Sequence, residues 1–177
     1  MRAHRAAVFA LVAFTFEALP VEAQDARTVE VTPYVAVGSA AASPIGIAFT
    51  FPVTSTLSFE TEVAYRRAEG GINALSTSAN LLYLLPRVGQ TTAYVVGGVG
   101  LSQYGAPVFS SPNGVPIGTE SSLAVTVNAG GGLKMPLNEN LDLRTDARWF
   151  KSFGLPPGQG SEQFRVAQGL SFDVGKR

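Results

Sequence analysis

The sequence predicts an all-β fold: an eight-stranded antiparallel up-and-down transmembrane β-barrel. Three observations predict it. Apolar and polar side chains alternate with a period of two over most of the chain, the charged residues of these stretches keep to one face, and the connections alternate between short and long. At 177 residues, one domain with an enclosed interior is expected. Only 15% of the residues are charged and 19 are glycine, against roughly 25% charged and about 7% glycine in an ordinary soluble domain. Thirteen basic residues match thirteen acidic ones, so no net field points to nucleic acid. The absence of cysteine excludes disulfides, thiolate nucleophiles and sulfur-ligated metals.

Residues 1–23 are expected to be a signal peptide, with 24–177 forming the barrel domain. Arg2 and Arg5 precede the apolar run Ala6–Phe16, and Val21 and Ala23 have the small-residue spacing of a cleavage site. The run is shorter than the about 20 residues that a membrane helix requires. The only histidine, His4, lies in this segment. The mature chain would therefore contain neither His nor Cys, which excludes Ser-His-Asp hydrolysis, Cys-His chemistry and His-ligated zinc. No later apolar run reaches helix-spanning length, so a membrane would have to be crossed by strands.

The strands follow in order. Val29–Gly38 alternates valines with Glu30, Thr32 and Tyr34, and Pro33 interrupts its ladder. Ile45–Val53 sets Ile45, Ile47, Phe49 and Phe51 against Gly46, Ala48 and Thr50. Leu57–Arg66 sets Leu57, Phe59, Thr61, Val63 and Tyr65 against a face bearing Glu60, Glu62 and Arg66. Leu75–Leu85 alternates clearly from Ala79 onward. Tyr94–Tyr104 lacks clean parity, and a bulge at Gly97-Gly98 that switches faces is expected. Leu123–Lys134 opposes Val125, Val127 and Leu133 to Thr126, Asn128 and Lys134. Leu141–Phe150 opposes Leu141, Leu143 and Trp149 to Asp142, Arg144, Asp146 and Arg148. Phe164–Val174 opposes Phe164, Val166, Leu170 and Phe172 to Arg165 and Asp173. Short turns are expected at 54–56, 86–91 and 136–140, and longer connections at 39–43, 67–74, 105–121 and 151–163.

Parity alone leaves open a soluble barrel whose apolar faces line a lipocalin-like cavity for an apolar ligand. Three features favour the inverted, lipid-facing arrangement. The residues accompanying the charges are small, as a crowded interior requires. The apolar faces carry aromatics near their ends: Phe164 and Phe172 stand eight residues apart, about 27 Å along a strand and about 21 Å along the membrane normal at a tilt of about 40°. Tyr65 and Trp149 occupy similar positions, completing a lipid-facing girdle of Tyr65, Trp149, Phe164 and Phe172. The signal peptide and the asymmetry of the turns add to these.

The segments Leu57–Tyr65, Tyr94–Gly100, Val127–Leu133 and Leu141–Arg148 carry a resemblance to the small eight-stranded outer-membrane barrels. Over Thr28–Val174 the chain is similar to the transmembrane domain of outer membrane protein A and its barrel-only relatives. Gln168 and Gly169, followed by Leu170, Phe172 and Val174, resemble the assembly signal of such barrels, although the chain ends Gly175-Lys-Arg177 rather than on an aromatic residue. The resemblance implies an outer-membrane location, with membrane lipid and the barrel-assembly machinery as partners, and a monomer.

On this reading Glu60, Glu62, Asp142, Asp146 and Asp173 share the lumen with Arg66, Lys134, Arg144, Arg148 and Arg165. Five acids against five bases suits a dry interior, where an unpaired charge costs several kcal/mol. The network is expected to plug the barrel; a narrow ion-conducting pore is the alternative. Glu60 with Glu62, or Asp142 with Asp146, could pass for a catalytic carboxylate pair, but the neighbouring arginines would hold both members ionised. Gly97–Gly100 and Gly130–Lys134 lack the spacing of a phosphate loop. No catalytic residue, cofactor or metal site is expected. Residues 105–121, less polar than a solvated loop requires, are expected to carry a surface contact or to pack over the barrel mouth.

Overall fold

Residues 28–39, 43–67, 72–110, 115–155 and 161–175 are described by a computed structural model of the chain. The expected signal peptide, residues 1–23, lies outside these residues. The alternating stretches form eight strands: β1 (Val29–Gly38), β2 (Ile45–Pro52), β3 (Leu57–Arg67), β4 (Asn73–Leu84), β5 (Thr92–Ser110), β6 (Val115–Asn138), β7 (Leu141–Phe153) and β8 (Glu162–Val174). Each pairs antiparallel with its neighbours in sequence, and β1 closes on β8, giving a barrel in the order β1 to β8. Closure removes the open edges that a sheet would otherwise present to lipid or to other chains. The short turns β2–β3, β4–β5 and β6–β7 share one end with the start of β1 and the close of β8. The connections β1–β2, β3–β4, β5–β6 and β7–β8 share the other, the long-loop end expected from the sequence, although only β7–β8, with eight residues, exceeds the seven of β4–β5.

Through the body of the barrel side chains keep to two faces with constant parity, the register shifts at Val108/Phe109 and Pro136/Asn138 lying near strand ends. Val35, Val63, Val99, Val125 and Leu170 point outward, and Thr32, Glu60, Asn80, Thr126 and Arg148 point inward and are buried. Tyr65, Trp149 and Phe164 stand exposed towards the long-loop end of this outer face, and Phe172 towards the short-turn end. The four expected girdle residues therefore divide into two levels. The interior is lined by charge and the exterior by hydrocarbon, so the lipocalin-like arrangement, with an apolar cavity and a solvated outer wall, does not describe this chain.

Two expectations are corrected. The β4–β5 and β5–β6 registers run unbroken through Gly97-Gly98, so no bulge lies there; the β5–β6 register shifts only between Val108 and Phe109. Tyr94, Val96 and Ser102 all face inward. The parity was obscured because the inward positions between them, 98 and 100, carry no side chain. The expected connection at 105–121 is instead the continuation of β5 and β6, paired from Gly105↔Ser121 to Ser110↔Val115.

The seam between β1 and β8 has its own irregularity. Its register runs Val29↔Val174 to Val31↔Phe172 and resumes at Tyr34↔Gly169, skipping Thr32 and Pro33. Pro33 has no N–H to donate, and its carbonyl lies on the Gly169 side. The hydroxyls of Thr32 and Ser171, 2.7 Å apart, bridge the strands from inside the barrel at this point.

Candidate functional site

β3, β7 and β8 bring six of the sequence-predicted lumen charges into one cluster. Because residues two apart share a strand face, Glu60 and Glu62 project together from β3, and Arg144, Asp146 and Arg148 from β7. Arg144 Nη1 lies 2.5 Å from Glu60 Oε2, and Arg148 Nη2 lies 3.0 Å from Glu60 Oε1. The same Arg148 Nη2 is 3.0 Å from Asp146 Oδ2, and its Nη1 is 3.4 Å from Glu62 Oε2. Arg165 grips Glu62 with both nitrogens, at 2.6 and 3.0 Å, in the planar fork that suits guanidinium to carboxylate. Arg148 and Glu60 are 1% and 0% exposed. Three acids and three bases thus neutralise one another across the barrel axis, as a low-dielectric interior demands.

Aromatic and amide groups complete the cluster. Tyr94 accepts a hydrogen bond from Arg144 Nε at 2.8 Å and donates to Asp146 Oδ2 at 3.1 Å. The Arg144 guanidinium lies 4.9 Å from the Tyr94 ring centroid. Arg165 sits between the rings of Tyr34 and Phe150, at 5.1 and 4.8 Å, and donates to Tyr34 Oη. Asn80 Nδ2 donates to Glu60, and Asn128 Nδ2 to Asn80. Glycine makes room for both tyrosines: a Cβ at Gly46 or Gly132 would lie 2.5 Å from Cζ of Tyr34 or Tyr94 respectively. The void left among Tyr34, Glu62, Arg144, Asp146 and Arg148 is about 10 Å³, no more than a single water requires. The lumen is filled here.

The remaining predicted lumen residues lie elsewhere. Lys134 is paired with Glu30 near the short-turn end, where Asp142 and Asp173 are half-buried and Asp173 stands opposite Glu30 in register. Arg66 lies towards the long-loop end, where it donates to Gln163 Oε1 at 3.2 Å. Sequence reasoning omitted Glu30, Tyr34, Asn80, Tyr94 and Asn128 from the network. Glu30 and Tyr34 share a strand face with Thr32, so carrying the parity argument through β1, and from charged to polar uncharged residues, would have included them.

The predicted assembly-signal residues divide between the faces: Gln168, Phe172 and Val174 point outward, and Gly169 points inward opposite Arg144. No group of three or more His, Cys, Asp or Glu side chains is arranged to hold a metal ion among the described residues.

No family model and no curated protein matches the sequence. Solved structures do match the fold. The N-terminal β-barrel domain of Pseudomonas aeruginosa OprF aligns with a TM-score of 0.64 and 17% identity, covering 85% of this chain and all of that domain. Neisserial surface protein A aligns with a TM-score of 0.63 and 11% identity, covering 82% of this chain and 96% of that one. The outer membrane enzyme PagL aligns with a TM-score of 0.52 and 16% identity, covering 82% and 99%. The fold is that of the small eight-stranded outer-membrane barrels, with a salt-bridge network inside it. Because that fold serves an enzyme as well as a surface protein, the particular role has to be argued from this chain's own features.

Proposed function

We propose that the protein is a non-catalytic outer-membrane barrel, exported by means of the signal peptide at 1–23, that acts by contact outside the cell. The observation that carries this reading is the β5–β6 hairpin. Pairing of β5 with β4 ends at Gly105↔Asn73, and pairing of β6 with β7 begins only at Val125↔Phe153. Beyond those points, among the described residues, the two strands are paired only with each other. The hairpin therefore projects from the long-loop end, which faces outward in barrels of this kind. It exposes Val108, Ile117 and Leu123, apolar groups suited to a contact surface. The central cluster supports a structural role for the lumen, since each carboxylate there is engaged by at least one arginine. Lipid and the barrel-assembly machinery are the expected partners, the barrel being monomeric.

Protease added to intact cells tests the topology. Cleavage confined to residues 106–124, leaving a barrel that resists SDS until boiled, is the expected result; cleavage only after the outer membrane is permeabilised would overturn it. A variant with 106–120 replaced by a two-residue Asn-Gly turn should still insert but lose the retention of producing cells on protein-coated surfaces. Undiminished retention would remove the hairpin from the proposed role.

A further inference from the structure

The outer half of the lumen, above the ionic cluster, is not filled. A cavity of about 70 Å³, open at its mouth, is lined by Arg66, Ser76, Ser102, Ser152, Gln163 and Arg165. That is about seven times the void left in the cluster below, room for several waters or one small polar molecule. Its walls change character abruptly from the cluster below. β4 through β7 contribute hydroxyls, two of which, Ser76 and Ser102, lie 2.9 Å apart. β3 and β8 contribute the guanidinium of Arg66 and the amide of Gln163.

The charge balance of this chamber is the telling feature. Below it, Glu60, Glu62 and Asp146 are matched by Arg144, Arg148 and Arg165. Arg66 stands outside that balance: its hydrogen-bond partner is the neutral Gln163, and among the described residues it takes part in no ion pair. A half-buried guanidinium held in place by a neutral acceptor retains the donors that fit a planar carboxylate. The wall hydroxyls both donate and accept, matching hydroxyl groups on a ligand.

We infer that this chamber is a binding site for a small hydroxylated carboxylate entering from outside the cell, with Arg66 holding the carboxylate and the serine wall holding the hydroxyls. Among the described lining residues one positive charge is in surplus, which matches a monoanion. The closed floor means that such a ligand is bound and not conducted. Entry from outside the cell rests on the outward facing of the long-loop end proposed above; binding itself does not depend on that or on the hairpin contact.

The full mature chain, refolded in detergent micelles, can be titrated with sodium glucuronate while backbone amides are followed by NMR. Glucose and, at matched ionic strength, sodium chloride serve as references. Glucuronate should produce saturable shifts at residues 64–66, 76, 102, 152 and 163–165, with glucose at least tenfold weaker. Arg66→Gln should weaken glucuronate at least tenfold while keeping a dispersed spectrum and the heat-dependent gel mobility of the parent. Arg66→Lys, which retains the charge but loses the fork, should fall between. Shifts no larger than those with chloride, equal binding of glucose, or unchanged affinity in Arg66→Gln would each overturn the assignment.

Discussion

Arg148 shows how much one side chain carries in an interior built from charge. It reaches Glu60, Glu62 and Asp146, carboxylates from two strands that are not neighbours in the ring. Truncating it leaves three buried acids facing two arginines, and removing one partner of such a set costs about 3–5 kcal/mol. Arg148→Ala should therefore lower the stability of the barrel by about that amount in urea unfolding from lipid vesicles; a change below about 1 kcal/mol would show that water screens the cluster. The acids and arginines of this cluster were legible in the sequence, because charge confined to one parity leaves few places for it to go. Tyr94 was not. Its next inward neighbours along β5 are the apolar Val96 and the glycines at 98 and 100, so no charge on its own strand declares its face, and its role depends on Arg144 and Asp146, some fifty residues away.

At the scale of the strand, the decisive property is that a position's face and depth together set what it tolerates. Val99 lies on the outer face, 59% exposed, in the middle of β5, whereas Gln103 lies on the same face closer to the long-loop end. Arginine costs about 2–4 kcal/mol at the bilayer midplane and about 0–1 kcal/mol near its surface. Val99→Arg should therefore lower unfolding stability in vesicles far more than Gln103→Arg, and equal effects would contradict the lipid-facing assignment. The core of most strands could be read from alternation alone, β5 being the exception because Gly98 and Gly100 leave gaps in the side chains of its inward face. The outer parts of β5 and β6 could not, because Pro107 and Pro116 and nearby glycines read as a loop. Proline is nevertheless compatible with an edge strand, which has a ladder on one side only. Pro107 pairs with Thr119 and Phe109 with Pro116 in that part of the hairpin that has outrun β4 and β7. The sequence signal for a loop and the structural fact of a free edge share one cause.

For the molecule as a whole, the cluster closes the passage between the two ends. The remaining void is about 10 Å³, too small for a hydrated ion, so the refolded protein should insert into planar bilayers without unitary current. Regular openings with every insertion would show that the arginines swing aside and would revive the narrow-pore alternative. Closure of the ring has another consequence. An open sheet can unravel from an outer strand, but here every strand has two neighbours, so melting has to begin with the breaking of one of eight joints. The joint between β1 and β8 is interrupted where Pro33 withholds its donor, and it is bridged there by the Thr32 and Ser171 hydroxyls. It also joins the first strand made to the last, so no ribosome-bound fragment can form it. The place where assembly must finish is thus also a place where the ladder is interrupted, and the temperature at which gel mobility changes reports on that clasp.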